Sequence, residues 1–199
     1  NLTPGYMFER FALSLPLYLG YTFWQRDKGT DFLNNTINWF EDTKYMVAKG
    51  ANPTVRFLVS QNNIAELTFG YTEKRYFTPP VTPDEDRDGR NISGTLGWMY
   101  SFKGGKGLLN VLYKYAEEDT SGRNWSYKEN KFTANLLYPL VNKFNLQLTG
   151  DADMFEYKYI NTVYDVQRRD GIYTGSIGLI YNLFKNTDII AQYTYTDAY

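Results

Sequence analysis

Apolar and polar residues alternate with a period of two over most of this chain, and the last hairpin carries the pattern most plainly. Tyr173, Gly175, Ile177, Leu179, Tyr181 and Leu183 interleave with Thr174, Ser176, Gly178, Ile180 and Asn182. Successive strand side chains point to opposite sides, so the run presents one apolar face and one small or polar face. Beyond a turn at Phe184–Thr187, Ile189, Ala191, Tyr193 and Tyr195 resume the apolar face. Tyr173 and Tyr181 stand roughly 26 Å apart along an extended strand, or roughly 20 Å across a layer after a ~40° tilt. An apolar band edged by tyrosines and backed by a polar face is the pattern of a membrane-spanning barrel strand; repeated, it makes an aromatic girdle.

The same alternation recurs upstream. Met7 to Trp24 alternates for longer than a usual globular strand, and Pro16 predicts a bulge there. Arg26–Asn38 reads as a loop. Residues 39–50 read either as the start of a strand running through Pro53 or as a surface hairpin or short helix. Further strands follow around Val55, Leu67, Trp98, Val111, Leu136 and Leu146. Past Gly150 the inner positions change to Asp151, Asp153, Phe155 and Tyr157, which predicts a bulge or a strand rising beyond the membrane edge.

The connections alternate in length. Short turns at 61–63, 103–106, 141–143 and 184–187 face long polar loops at 26–50, 78–89, 117–126 and 161–168. A meander with short turns at one end and long loops at the other is the outer-membrane layout. The prediction is an all-β, antiparallel up-and-down transmembrane β-barrel of about ten strands. It is expected as one domain over 1–199, either a barrel in itself or part of a larger one. Leu67, Phe69, Trp98, Val111, Leu136, Leu146, Ile177 and Leu179 should face lipid.

Composition sharpens this picture. Aromatic residues make up 18% of the chain, with 19 Tyr, while the mean hydropathy is −0.50. No stretch approaches the roughly 20 apolar residues of a membrane helix. A net charge of −1 gives no electrostatic case for nucleic acid. The chain has no Cys and no His, which removes thiolate chemistry and the commonest general base and metal ligand. A chain without catalytic activity is therefore expected. The N-terminus, Asn1–Tyr6, has neither a basic nor an apolar leader region, so the chain is expected to be mature, processed or part of a longer one. The rival reading is a soluble β-sandwich that binds carbohydrate on aromatic platforms such as Trp24, Trp39 and Trp125.

From Pro53 onward the chain resembles bacterial outer-membrane β-barrels, especially the Tyr-rich barrels that follow tetratricopeptide or lipoprotein-export modules. The resemblance lies in Pro53-Thr54-Val55-Arg56-Phe57, in the Asp84–Gly89 loop, in Arg168-Arg169-Asp170 leading into Ile172–Tyr181, and in Tyr193-Thr194-Tyr195. Two departures stand out: these 199 residues include no helical repeat ahead of the strands, and they end at Asp197-Ala198-Tyr199 where such barrels are expected to close on a further strand ending in Phe. The resemblance implies a Gram-negative outer membrane, the lipid bilayer as surroundings, and a periplasmic or surface protein as partner. It implies a porin-like channel, an export component or an anchor.

Two sets of side chains are candidate sites. Asp84, Asp86 and Asp88, followed by Gly89, match the first half of a D-x-D-x-D-G calcium loop. Thr95 replaces the bidentate Glu of the second half, and Arg87 adds a competing charge, so a solvated acidic loop is the first reading and Ca²⁺ the second. Apart from that ion no cofactor is expected. The lumen-lining charges are Arg10, Arg56, Glu66, Lys74, Lys114, Lys131, Asp151 and Asp188. Inside a narrow barrel they either pair with one another or line an aqueous path. Bulky residues of both charge signs predict a largely filled lumen.

Overall fold

The computed structural model describes residues 3, 5–7, 9–26, 41–141, 143–184 and 187–199. Twelve strands are present among them: β1 (Gly5–Met7), β2 (Phe11–Ser14), β3 (Leu17–Arg26), β4 (Glu41–Ala51), β5 (Thr54–Ser60), β6 (Asn63–Tyr76), β7 (Gly89–Phe102), β8 (Gly107–Thr120), β9 (Tyr127–Pro139), β10 (Phe144–Ile160), β11 (Gln167–Phe184) and β12 (Thr187–Ala198). All belong to one antiparallel sheet in the order β1-β2-β5-β6-β7-β8-β9-β10-β11-β12, with β3 on β4 and β4 on β6. One continuous sheet rules out the two-sheet sandwich, so the soluble carbohydrate-binding reading falls.

The count of twelve differs from the ten expected, and prolines explain part of the difference. The chain from Phe11 to Arg26 breaks at Leu15-Pro16, and the chain from Glu41 to Ser60 breaks at Asn52-Pro53. Proline cannot donate to a ladder, so each break falls where a ladder bond is lost. The Pro16 carbonyl still accepts from the Asn52 N–H at 3.0 Å, which holds the two breaks side by side. The single run expected over Met7–Trp24 also divides at Glu9-Arg10, where two successive charges interrupt the alternation and the chain folds back. Residues 41–51 are strand and not helix. Most of the loop expected at Arg26–Asn38, together with Trp39, lies outside the described residues; Arg26 itself ends β3.

The sheet is not closed, which corrects the expected closed barrel. Among the described residues no ladder joins β12 to β1 or β3. With β1 three residues long and β12 twelve, the two outer edges do not match in length.

Register fixes the faces. Ala65, Trp98, Val111, Ala134 and Gly150 lie directly opposite one another across five strands. Leu109, Leu136, Leu148, Ile177 and Tyr193 form a second such row. This face is apolar and open: Leu96 is 60% exposed and Ile177 52%. All eight residues expected to face lipid lie on it. A soluble protein rarely leaves so large an apolar surface bare, whereas a bilayer covers it. No helix among the described residues is long and apolar enough to cross a membrane, which says nothing of strands.

Candidate functional site

The opposite face is polar, and its charges meet in pairs. Lys114 on β8 lies directly opposite Lys131 on β9, which lies opposite Asp153 on β10. Two lysines side by side repel, and each is neutralised by a carboxylate. The Lys114 ammonium donates to both oxygens of Glu129 at 2.9 and 3.0 Å, and Lys131 donates to Asp153 at 3.0 Å. One rung nearer the short turns, Asp151 accepts from the Thr133 hydroxyl at 2.6 Å, and Arg56 pairs with Glu66 at 2.5 Å. Toward the long loops, Lys74 donates to both oxygens of Glu118 at 2.9 and 2.8 Å, and Asn91 adds a third bond at 2.8 Å. Glu118 is 3% exposed and Glu129 6%, so each carboxylate needs the charge it holds.

Six of the eight charges named from the sequence therefore stand on this face within the ladder of bonds. The other two stand at the short-turn end. Arg10 lies in the exposed turn between β1 and β2, where its carbonyl accepts from the Leu58 N–H at 2.7 Å. Asp188 lies at the start of β12, opposite Asn182, whose side-chain amide donates to it at 2.6 Å.

Sequence reasoning missed Glu118 and Glu129. The loop was expected to begin at Glu117, but β8 runs on to Thr120, and β9 begins at Tyr127, ahead of Lys131. Strand parity was the available signal. Glu118 is four residues from Lys114 and Glu129 two from Lys131, so each shares its lysine's face.

The long loops gather at one end and fold over the polar face. A 3-10 turn at Pro83–Glu85 and another at Arg123–Trp125 meet there. The Glu85 carboxylate accepts from the Asn124 amide at 2.6 Å and from the Trp125 indole at 2.9 Å. Asn124 also binds the third loop, donating to the Thr162 hydroxyl and accepting from the Thr162 N–H, both at 2.9 Å. Its 3% exposure reflects this position between two loops. Gly122 passes so close to the Asp84–Asp86 backbone that a Cβ there would lie 2.5 Å from the Asp84 carbonyl oxygen. Arg87 stacks its guanidinium 3.8 Å over the Trp125 ring, and Arg168 stands 4.6 Å from the Tyr157 ring while pairing with Asp170. This cap explains why the inner positions of β10 change to Phe155 and Tyr157 past Gly150. They pack beneath the loops, Tyr127 meeting both rings at 5.2 and 5.6 Å, with Tyr157 itself buried.

The acidic loop serves this turn geometry. Asp88 accepts from the Tyr76 N–H at 2.6 Å, and Asp86 accepts from the Asp88 N–H at 2.9 Å. Asp84 lies in the 3-10 turn. No group of three or more acidic side chains near enough to share a metal ion occurs among the described residues.

No protein-family profile and no curated protein matches the chain. Among solved structures it is similar to OmpTdeltaL8, the loop L8 deletion mutant of OmpT, an outer membrane protein of Vibrio cholerae. The two share 14% identity with a TM-score of 0.60, over 99% of this chain and 74% of that one. At that identity the likeness bears on fold. The fold is that of an outer-membrane β-barrel protein, and the exposed apolar face places the chain in the lipid bilayer of the outer membrane.

The same likeness corrects one expectation. The lack of His and Cys led to a chain without catalytic activity, but the fold shared with OmpT carries no such exclusion. Carboxylates can act as acid and base without histidine, and this chain gathers several at its loop end. What the composition closes is imidazole and thiolate chemistry alone.

Proposed function

We propose that the chain works as a narrow outer-membrane channel for small polar solutes, constricted at its loop end by the locked turns around Glu85. The observation that supports this most is the paired inner face. Lys74–Glu118, Lys114–Glu129, Lys131–Asp153 and Arg56–Glu66 make a wall that is hydrophilic without being of one charge sign. Such a wall offers hydrogen bonds to a passing solute and little field to select anions from cations. Closed edge to edge, a sheet of this strand number would enclose far less space than the 16- to 18-stranded porins with open aqueous channels. The cap over the polar face narrows the way further. The long loops face the outside in this reading, and the short turns face the periplasm.

Planar-bilayer recording tests it. The wild-type chain should give small, intermittent conductance steps, about tenfold or more below those of a wide porin. Glu85→Ala, which releases the Asn124–Trp125 turn, should raise the step size or the open time. Silence from both proteins would defeat the channel reading and leave an anchoring or export role. Large steady conductance from the wild type would defeat the constriction.

A further inference from the structure

The inner face changes character between the charge ladder and the short turns. The rung that holds Glu66, Thr133 and Asp151 spends its polar groups on neighbours: Arg56 on Glu66, Thr133 on Asp151, and Thr174 with Thr196 at 3.1 Å. One rung nearer the short turns come Ile64, Met99, Asn110, Asn135, Thr149 and Ser176, directly opposite one another from β6 to β11. The next rung holds Ser101, Leu108, Leu137, Gln147, Gly178 and Gln192, from β7 to β12. Neither rung carries a charge over those strands.

The two rungs divide by strand. Met99 has Ile64 beside it on β6, and Leu108 and Leu112 flank its partner Asn110 on β8, two positions to either side. Leu137 lies opposite Leu108. Leu112 covers the bare backbone of Gly97, where a Cβ would come within 2.8 Å of its Cδ2, so the apolar floor is continuous across β7 and β8. On β9 to β12 the same rungs offer Asn135, Gln147, Thr149, Ser176 and Gln192, amides and hydroxyls that can each donate and accept. Asn110, Asn135, Thr149 and Ser176 make no side-chain hydrogen bond among the described residues.

We infer that this turn-side half of the inner face binds uncharged amphipathic solutes, molecules that join an aromatic or alicyclic body to hydroxyl or amide groups. The inference deepens the channel reading and rests on it for the solute's access. In a sheet curled with its polar face inward, β6–β8 and β9–β12 confront one another across the lumen. One wall then takes the apolar body, and the other supplies the hydrogen bonds that orient it. A charged solute would leave its charge without a partner between these walls. A solute polar on every side would leave Met99 and Leu112 facing water and gain nothing from them.

The test uses the full chain in lipid nanodiscs, titrated in a calorimeter with phenyl β-glucoside, glucose or phenyl phosphate, the heat of empty nanodiscs being subtracted. Phenyl β-glucoside should give a saturable isotherm at least tenfold tighter than either of the others. Met99→Gln, which makes the apolar wall polar at nearly constant bulk, should weaken it at least fivefold. Asn135→Leu, on the hydrogen-bonding wall, should weaken it as much. Should either fail to fold, Ser176→Ala removes a single hydroxyl and should still weaken it about twofold or more, roughly the worth of one hydrogen bond. Equal binding of glucose, or tighter binding of phenyl phosphate, overturns the inference. So does the absence of saturable heat, or an isotherm that no folded variant changes. Planar-bilayer recording of the same protein separates the two readings. Conductance steps without glucoside binding would sink the site alone, whereas binding with silent bilayers would support the site and sink the channel.

Discussion

The Trp125 indole donates to the Glu85 carboxylate at 2.9 Å, joining two 3-10 turns forty positions apart in the chain. Asn124 uses the other oxygen of the same carboxylate and reaches on to Thr162, so one side chain ties three loops. Hydrogen bonds to a charged group are worth about 1.5–3 kcal/mol each. Glu85→Ala should thus loosen all three loops together, and Glu85→Gln, which keeps an acceptor, should do so less. Protease added to intact cells should cut within residues 77–88 severalfold faster in Glu85→Ala than in wild type. Equal cutting would mean the lock carries no weight. Cleavage at Gly104-Gly105 in intact cells would invert the orientation.

Gly122→Ala tests the same closure by sterics in place of charge. The added Cβ would lie within 2.5–2.6 Å of backbone atoms of Asp84 and Asp86, which cannot swing aside as a side chain would. Gly94→Ala, on a strand with open space around it, is the control. The first should increase loop cleavage and the second should leave it unchanged.

Within the ladder, Lys114→Met should cost about 3 kcal/mol in urea unfolding from vesicles, because it strands the nearly buried Glu129 carboxylate. Adding Glu129→Leu should recover most of that loss, since the cost lies in the unpaired charge. A double variant as unstable as the sum of the singles would show that the two residues act independently.

On the outer face, Ile177→Arg should cost about 2–4 kcal/mol in bilayer folding, the penalty for a cation near the midplane. Ser176→Arg, one residue away on the polar face, should cost much less. Equal losses would contradict the face assignment.

What the sequence made legible was governed by the membrane itself. Between the band edges one face must be apolar, so Leu67, Trp98 and Ile177 declare their side by alternation alone. Beyond the band both faces become polar, and the alternation vanishes while the strand continues. That is why Glu118 was hidden in what read as loop, and Glu129 in the stretch ahead of a strand read from Lys131. The split of the early strands at Pro16 and Pro53 was half legible: the prolines were visible, but which ladder each would interrupt depends on pairing. The Asp84–Asp88 spacing was legible as a calcium-loop pattern, but that Asp86 and Asp88 accept from backbone N–H groups of the turn was not. The edge of β12 that carries no ladder among the described residues left no local signal, since an edge strand and an inner strand share one alternation.

The chain contains no cysteine, so a cysteine introduced at each position from Thr174 to Tyr181 on β11 is a unique label. Fluorophores at these sites, in vesicles of brominated lipid, measure contact with acyl chains residue by residue. Quenching should alternate along β11, strong at 175, 177, 179 and 181 and weak at 174, 176, 178 and 180, with the weak set open to a water-soluble thiol reagent. Quenching without a period of two, or strong at the even positions, would contradict an outer-membrane barrel with its apolar face to lipid and its charge ladder within.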